Sequence, residues 1–367
     1  MYDQIREDFL FIILYSMVTA MAMMASGYLL FRRGNAIASD ITSPVRLRRW
    51  TGVFFASIAL NHIWYMPIIF LSSSEDILMN DLIGGLLDNM TVIPLAIIVL
   101  FTMLQDRRRP LWPVVVMMVP LVVGNVLDLA TLSYAFLPML NGYALLLGIG
   151  ISIYMVRASR QYGRWLRDNY ADLEHKEVWQ SFVVLAVMLS VFIIYAFTSE
   201  GPAYVYAMQL ICVVLICYLL WRVETLSDLS VPPLPSPEGE VTPLPSPEGE
   251  ADQDRIGLLL QQHCIDTQLY LQHDLTLAQL AKAIGTNRSY LSQYFSGQGI
   301  TYNAYINNLR IDHFVSLYRE AVAARRSFTI QELANSSGFR SYSTFILAFK
   351  QRMGHTVTAW ARLQNLQ

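Results

Sequence analysis

The chain has 367 residues, of which 54% are hydrophobic and 15% charged. A soluble domain carries about a quarter charged residues, so this composition excludes a wholly water-soluble chain and requires a membrane to cover the apolar excess. The net charge is −2, and three cysteines, Cys212 and Cys217 in one apolar run and Cys264 alone, give no disulfide framework or metal spacing.

Phe9 to Phe31 is the first long apolar run, 23 residues without a break. At the helical rise it crosses a hydrocarbon core of about 30 Å, and it is too long for a cleavable signal peptide. Further runs at 51–71, 83–104, 111–131, 134–156, 178–198 and 202–222 bring the predicted spans to seven, in a membrane domain over 1–222. No charged loop divides 111–156, but one helix of that length would reach about 69 Å, so a hairpin is required near Thr131 to Tyr134.

Basic residues alternate with these runs. Arg32, Arg33, Arg46, Arg48 and Arg49 follow the first, Arg107 to Arg109 the third, and Arg157, Arg160, Arg164, Arg167 and Lys176 the fifth. Ser72 to Asp81, the turn near 131–134 and Ser199 to Gly201 hold no Lys or Arg. The positive-inside rule therefore predicts an outer N-terminus and a cytoplasmic C-terminus.

Polar groups inside the predicted spans are Gln209 in the last and, as pocket candidates, Asn61, His62, Asp88, Asn89, Asn125, Asp128 and Asn141. Polar groups in lipid turn inward, so these are candidates for one pocket taking a small or lipophilic ligand; the alternative is hydrogen bonding between helices. His62 has no second ligand at metal spacing and reads as a packed histidine.

Residues 223–253 read as a tether, with PLPSPEGE at 233–240 repeated at 243–250. Frequent proline blocks helix and sheet, and glutamate keeps the segment solvated. A docking ligand for a proline-recognising module is the alternative. A flexible tether absorbs rotation and piston motion, so the expectation is control by proximity, through homodimers that raise the local concentration of what the tether carries.

The remainder, 251–367, holds 11 Lys and Arg against 7 Asp and Glu. Thr276 to Phe295 reads as two short helices: Thr276 and Gln279 have capping-box spacing, Leu277, Leu280, Ala281 and Ile284 recur at helical intervals, and Gly285 ends the helix. Asn287 caps the next, with Leu291 and Phe295 inward. Phe328 to Met353 repeats the arrangement, with Ile330, Leu333 and Ala334, a break at Gly338, Ser341 as cap, and Phe345 and Phe349 inward. Tyr302 to Tyr318 predicts an amphipathic helix between the copies, with Tyr305, Ile306, Leu309 and Phe314 near one face.

On LAQLAKAIGTNRSYLSQYF, NNLRID, IQELANSSGF and STFILAFKQRMG, residues from about 254 to 363 resemble the DNA-binding domain of the AraC/XylS family of bacterial transcription regulators. That resemblance implies two helix-turn-helix units on a linker helix over 254–367, double-stranded DNA as partner, and no enzyme activity, cofactor or metal. One departure is Val357 after Thr356, where the family has proline, so the last turn is expected to be capped differently. The candidate DNA contacts are Asn287, Arg288, Ser289, Tyr290, Ser292 and Gln293, then Arg340, Ser341, Tyr342, Ser343, Thr344 and Lys350, with Lys350 and Arg352 directed at phosphate.

The expected fold is all-α: a seven-helix membrane bundle in the bacterial cytoplasmic membrane, then a cytoplasmic double helix-turn-helix. The bundle would act as anchor, or as sensor of a ligand or of a partner membrane protein. A rival is an intramembrane transporter or enzyme with an appended regulatory domain. Against the enzyme stand the lack of paired catalytic carboxylates or a Gly-x-Ser-x-Gly elbow, and only one histidine in a span. Against the transporter, no repeat of the spans is evident.

Overall fold

In a computed structural model, residues 8–32, 34–38, 41–198, 202–229 and 250–364 are described. Residues 230–249, which hold all of the PLPSPEGE repeat but Glu250, lie outside the described residues; at the ends of the expected 223–253 tether, 223–225 and 250–253 are helical. Among the described residues the only β feature is an isolated bridge between Tyr170 and Thr276; the rest is helix and connection. The chain divides into one unit of 1–162 with 178–231 and a second of 163–177 with 232–367.

The first unit begins with α1 (Phe9–Phe31), capped by Asp8 accepting from the Phe11 amide, and α2 (Val45–Tyr65). After a 3-10 turn come α3 (Ser74–Met90) and α4 (Val92–Met103). They meet at Thr91, where Pro94 lacks the N–H that would bond the Met90 carbonyl. Next are α5 (Trp112–Thr131), α6 (Leu137–Asn169), α7 (Trp179–Thr198) and α8 (Pro202–Thr225).

Five stretches among the described residues, not seven, are long and apolar enough to cross a membrane: Phe9–Phe31, Ser74–Met103, Trp112–Thr131, Leu137–Asn169 and Val205–Thr225. Helix α2 fails because Arg46, Arg48 and Arg49 open it and Asn61 and His62 stand near its end. Of α7 (Trp179–Thr198), the described apolar stretch is Trp179–Met188. Boundaries move as well. Helix α3 starts at Ser74, inside the segment read as an outer loop, with Glu75 and Asp76 favourably placed in its first turn. The expected hairpin is present: Leu132 takes a left-handed conformation, and the Asp128 carboxylate accepts from the Phe136 amide at 2.8 Å.

In the second unit, α9 (Glu250–Leu260) leads through a π turn (Gln261–Ile265) and a 3-10 turn (Leu269–Leu271) to α10 (Leu277–Ala283) and α11 (Arg288–Gly297). Then come α12 (Tyr302–Ala323), α13 (Ile330–Ser336), α14 (Tyr342–Met353) and α15 (Val357–Gln364). Leu277, Leu280, Ala281, Ile284, Leu291 and Phe295 share one core with Tyr302 and Ile306 of α12. Ala334, Phe339, Phe345 and Phe349 share another with Ile311, Phe314 and Tyr318 of the same helix, closed by Val357 and Trp360. Thus α12 runs past Tyr318 to Ala323, its early residues in one core and its later ones in the other.

Cys264 is wholly buried in the first of these cores, and burial pushes its thiol up to about 11. Iodoacetamide at pH 8 should leave it unmodified in the folded chain and label it after unfolding, as read by mass spectrometry. Because the thiol is raised by folding, its contribution is present below its ordinary value of 9.0 and is lost as pH climbs towards 11.

Candidate nucleic-acid interface

Each helix-turn-helix is assembled by local hydrogen bonds that sequence spacing makes possible. At α10 the Gln279 amide donates to Thr276 Oγ1 at 3.2 Å, while the Thr276 amide donates to Gln279 Oε1 at 2.8 Å, the reciprocal capping box. The helix stops at Gly285, whose φ of +72° is left-handed, and the Thr286 amide closes the end onto the Ala281 carbonyl at 2.9 Å. Asn287 Oδ1 then accepts from the Tyr290 amide at 2.8 Å and starts α11.

The second copy repeats each part. Thr329 and Glu332 form another capping box, Gly338 turns at φ +95°, the Phe339 amide bonds the Ala334 carbonyl, and Ser341 caps α14. Where the sequence departs at Val357, Thr356 Oγ1 still accepts from the Ala359 amide at 3.3 Å and Val357 is buried, so α15 begins without proline.

Exposed side chains define the two candidate reading surfaces. On α11, Arg288, Ser289 and Gln293 are exposed with the cap Asn287, while Tyr290 and Ser292 are half-buried. Around α14, Arg340, Tyr342, Ser343 and Lys350 are exposed; Ser341 and Thr344 are half-buried and hydrogen-bonded to each other. Two apolar residues went unread as surface: Ile346 and Leu347 are exposed on α14, away from Phe345 and Phe349. Their helical spacing from Ser343 and Lys350 was the available signal.

Two cations have protein partners. Arg340 Nη1 lies 3.1 Å from Asp274 Oδ2. Arg352, expected at phosphate, is exposed and donates to both carboxylate oxygens of Asp312 on α12, at 2.5 and 2.6 Å.

The link between the two helix-turn-helix copies is Arg310, present in the NNLRID stretch but given no role from sequence. It is 1% exposed. Its Nε donates to the Tyr270 carbonyl at 2.8 Å, and its Nη2 to those of Gln272 at 2.7 Å and His273 at 3.0 Å. Its guanidinium carbon is 5.7 Å from the ring centre of Phe339, at the second turn. Burial lowers its pKa from the usual arginine value, opposed by the charges of Tyr302, Asp172 and Asp274.

Residues 280–363 match the family model of a helix-turn-helix domain. The match opens on α10 at Leu280 and takes in α11 to α14 and most of α15. It supports a C-terminal AraC-type, DNA-binding domain of the transcription-regulator kind, which is not an enzyme family. No curated protein and no solved structure matches the chain.

In the first unit the polar candidates fall into separate groups. Asn61 Nδ2 donates to Asp88 Oδ1 at 2.8 Å, and Tyr65 donates to Asp88 Oδ2 at 3.1 Å. His62 Nε2 is 3.2 Å from Gln209 Oε1, and Tyr15 donates to the His62 carbonyl. Asn125 bonds its own helix at Leu121, Asp128 caps α6, Asn89 is half-buried and Asn141 is exposed. Gln209, the polar group of the last predicted span, extends the Asn61, His62 and Asp88 group, as do Tyr15 and Tyr65, which the sequence did not single out.

Proposed function

We propose that this chain is a membrane-embedded one-component transcription regulator that reads double-stranded DNA through α11 and α14. The observation that carries this reading is the family match over two equivalently capped helix pairs, each with a polar, exposed second helix. Recognition helices held on one linker suit successive major-groove segments about 34 Å apart. Arg288, Ser289 and Gln293 serve the first segment; Arg340, Tyr342, Ser343 and Lys350 serve the second, with Asn287 and Ser341 setting the helix starts.

The site of action is the bacterial cytoplasmic membrane, with the C-terminal domain in the cytoplasm. The apolar helices and the clustering of arginine at 32–49, 107–109 and 157–167 support that placement. A small or lipophilic ligand, or a membrane partner, would act on the Asn61, His62 and Asp88 group, and homodimers would place two reading domains together.

The test uses the full chain in lipid vesicles and a duplex selected from a random pool. Arg288→Ala should cost about 1–3 kcal/mol and relax preference at one base pair, as a lost bidentate guanine contact does. Unchanged affinity after Arg288→Ala and Gln293→Ala together removes α11 from the reading surface.

A further inference from the structure

Gly163–Glu177 lie between two long apolar helices in sequence yet belong to the same compact unit as the helix-turn-helix pairs. Helix α6 contributes its final residues, through Asn169, to that unit. The segment after it is built in. Ala171 is 0% exposed and belongs to the core with Leu275, Leu277 and Tyr302. Its amide donates to the Leu275 carbonyl at 3.2 Å, beside the bridge from Tyr170 to Thr276, the cap of α10. Asn303, in the first turn of α12, donates through Nδ2 to the Ala171 carbonyl at 2.6 Å and more weakly to that of Tyr170 at 3.3 Å.

The same segment bears on the groups that tie the two helix-turn-helix copies together. Asp172 is buried, and its negative charge acts on Arg310. Lys176 Nζ lies 3.4 Å from Oδ1 of Asp274, whose other oxygen holds Arg340. One short stretch therefore touches the cap of the first helix-turn-helix, the start of the linker helix, and the carboxylate that holds a candidate DNA contact. Removing it would open Leu275 and Tyr302 to water and leave the Leu275 carbonyl with one donor fewer, the Tyr302 hydroxyl remaining at 3.1 Å.

We propose that Tyr170–Lys176 is a regulatory contact: its docking on Leu275, Thr276 and Asn303 raises the DNA affinity of the helix-turn-helix pair, so that the state of α6 is felt at the DNA. This rests on the reading of the pair as DNA-binding. It also supplies a covalent route separate from the 223–253 tether, one in which motion is carried by helix and packed segment. By reciprocity, bound DNA must stabilise the docked segment by the same factor.

The experiment uses the full chain in phospholipid vesicles with a duplex selected on the wild type from a random pool. Asn303→Ala should weaken binding about tenfold, and in the wild type the duplex should slow hydrogen exchange at the Ala171 amide by a similar factor. Faster exchange at Ala171 in Asn303→Ala with unchanged affinity overturns the proposal. If Asn303→Ala changes neither reading, Ala171→Asp, which cannot keep that position in the core, decides: unchanged affinity with α14 amides still protected overturns it, and weakened binding under the same protection upholds it. A selection that yields no duplex overturns the DNA-binding reading itself, and the coupling with it.

Discussion

Arg310→Ala should weaken the C-terminal unit by about 3–5 kcal/mol, the largest effect expected of any single change in it. The loss has two parts. Three carbonyls, of Tyr270, Gln272 and His273, lose a charged donor, and a void opens beside Phe339. Because α12 enters both cores, amide protection in α10 and in α14 should fall together. Arg310→Met fills most of the volume and restores no hydrogen bond, so it should recover only the packing share. Hydrogen exchange on the full chain reads both; a change under about 1 kcal/mol in either helix would mean that Arg310 does not join the two helix-turn-helix copies.

Gly338→Ala should cost roughly 2–5 kcal/mol, against about 1 for Gly285→Ala, although both glycines turn corresponding helix pairs. Each sits at positive φ, which an L side chain resists. A Cβ at Gly285 meets nothing within 4 Å. At Gly338 it would stand 2.9 Å from Leu271 Cα, 3.0 Å from the Leu271 carbonyl oxygen and 3.1 Å from Arg310 Nε. Two of these are backbone atoms of the loop that Arg310 holds, so relief by side-chain rotation is unavailable. The penalty should be less than additive with Arg310→Ala, since freeing the loop lets it move away. Equal costs at the two glycines would show that only backbone strain matters.

These expectations separate what can be read locally from what cannot. Thr276 with Gln279, and the stops at Gly285 and Gly338, were legible because a cap and a left-handed turn need only residues within a few positions. The second capping box, Thr329 with Glu332, has the same spacing and was readable, though unread. Leu291, Phe295, Phe345 and Phe349 declared their burial by helical period.

The membrane part was legible in kind and not in count. Apolar runs follow from composition, yet a run says nothing of where a helix starts. Ser74 begins α3 ahead of its apolar stretch because serine and two acidic residues favour a first turn, and α6 continues through Arg157, Arg160, Arg164 and Arg167 because arginine is a good helix former. Asn61 and Asp88 were found separately by their cost in lipid, but their hydrogen bond depends on two helices meeting.

By itself the sequence determined an all-helical chain, its apolar first part, its paired helix-turn-helix segments and the polar residues on their second helices. All of these follow from periodicity, caps and charge along a short stretch. Tertiary structure alone decided that Arg310 bridges the two helix-turn-helix copies, that Arg352 pairs with Asp312, and that Ala171 completes a core more than eighty residues away in sequence. Those choices turn on which carbonyl, carboxylate or apolar gap the folded chain brings within about 3–4 Å of a side chain, and that distance is fixed only when elements far apart in sequence pack together.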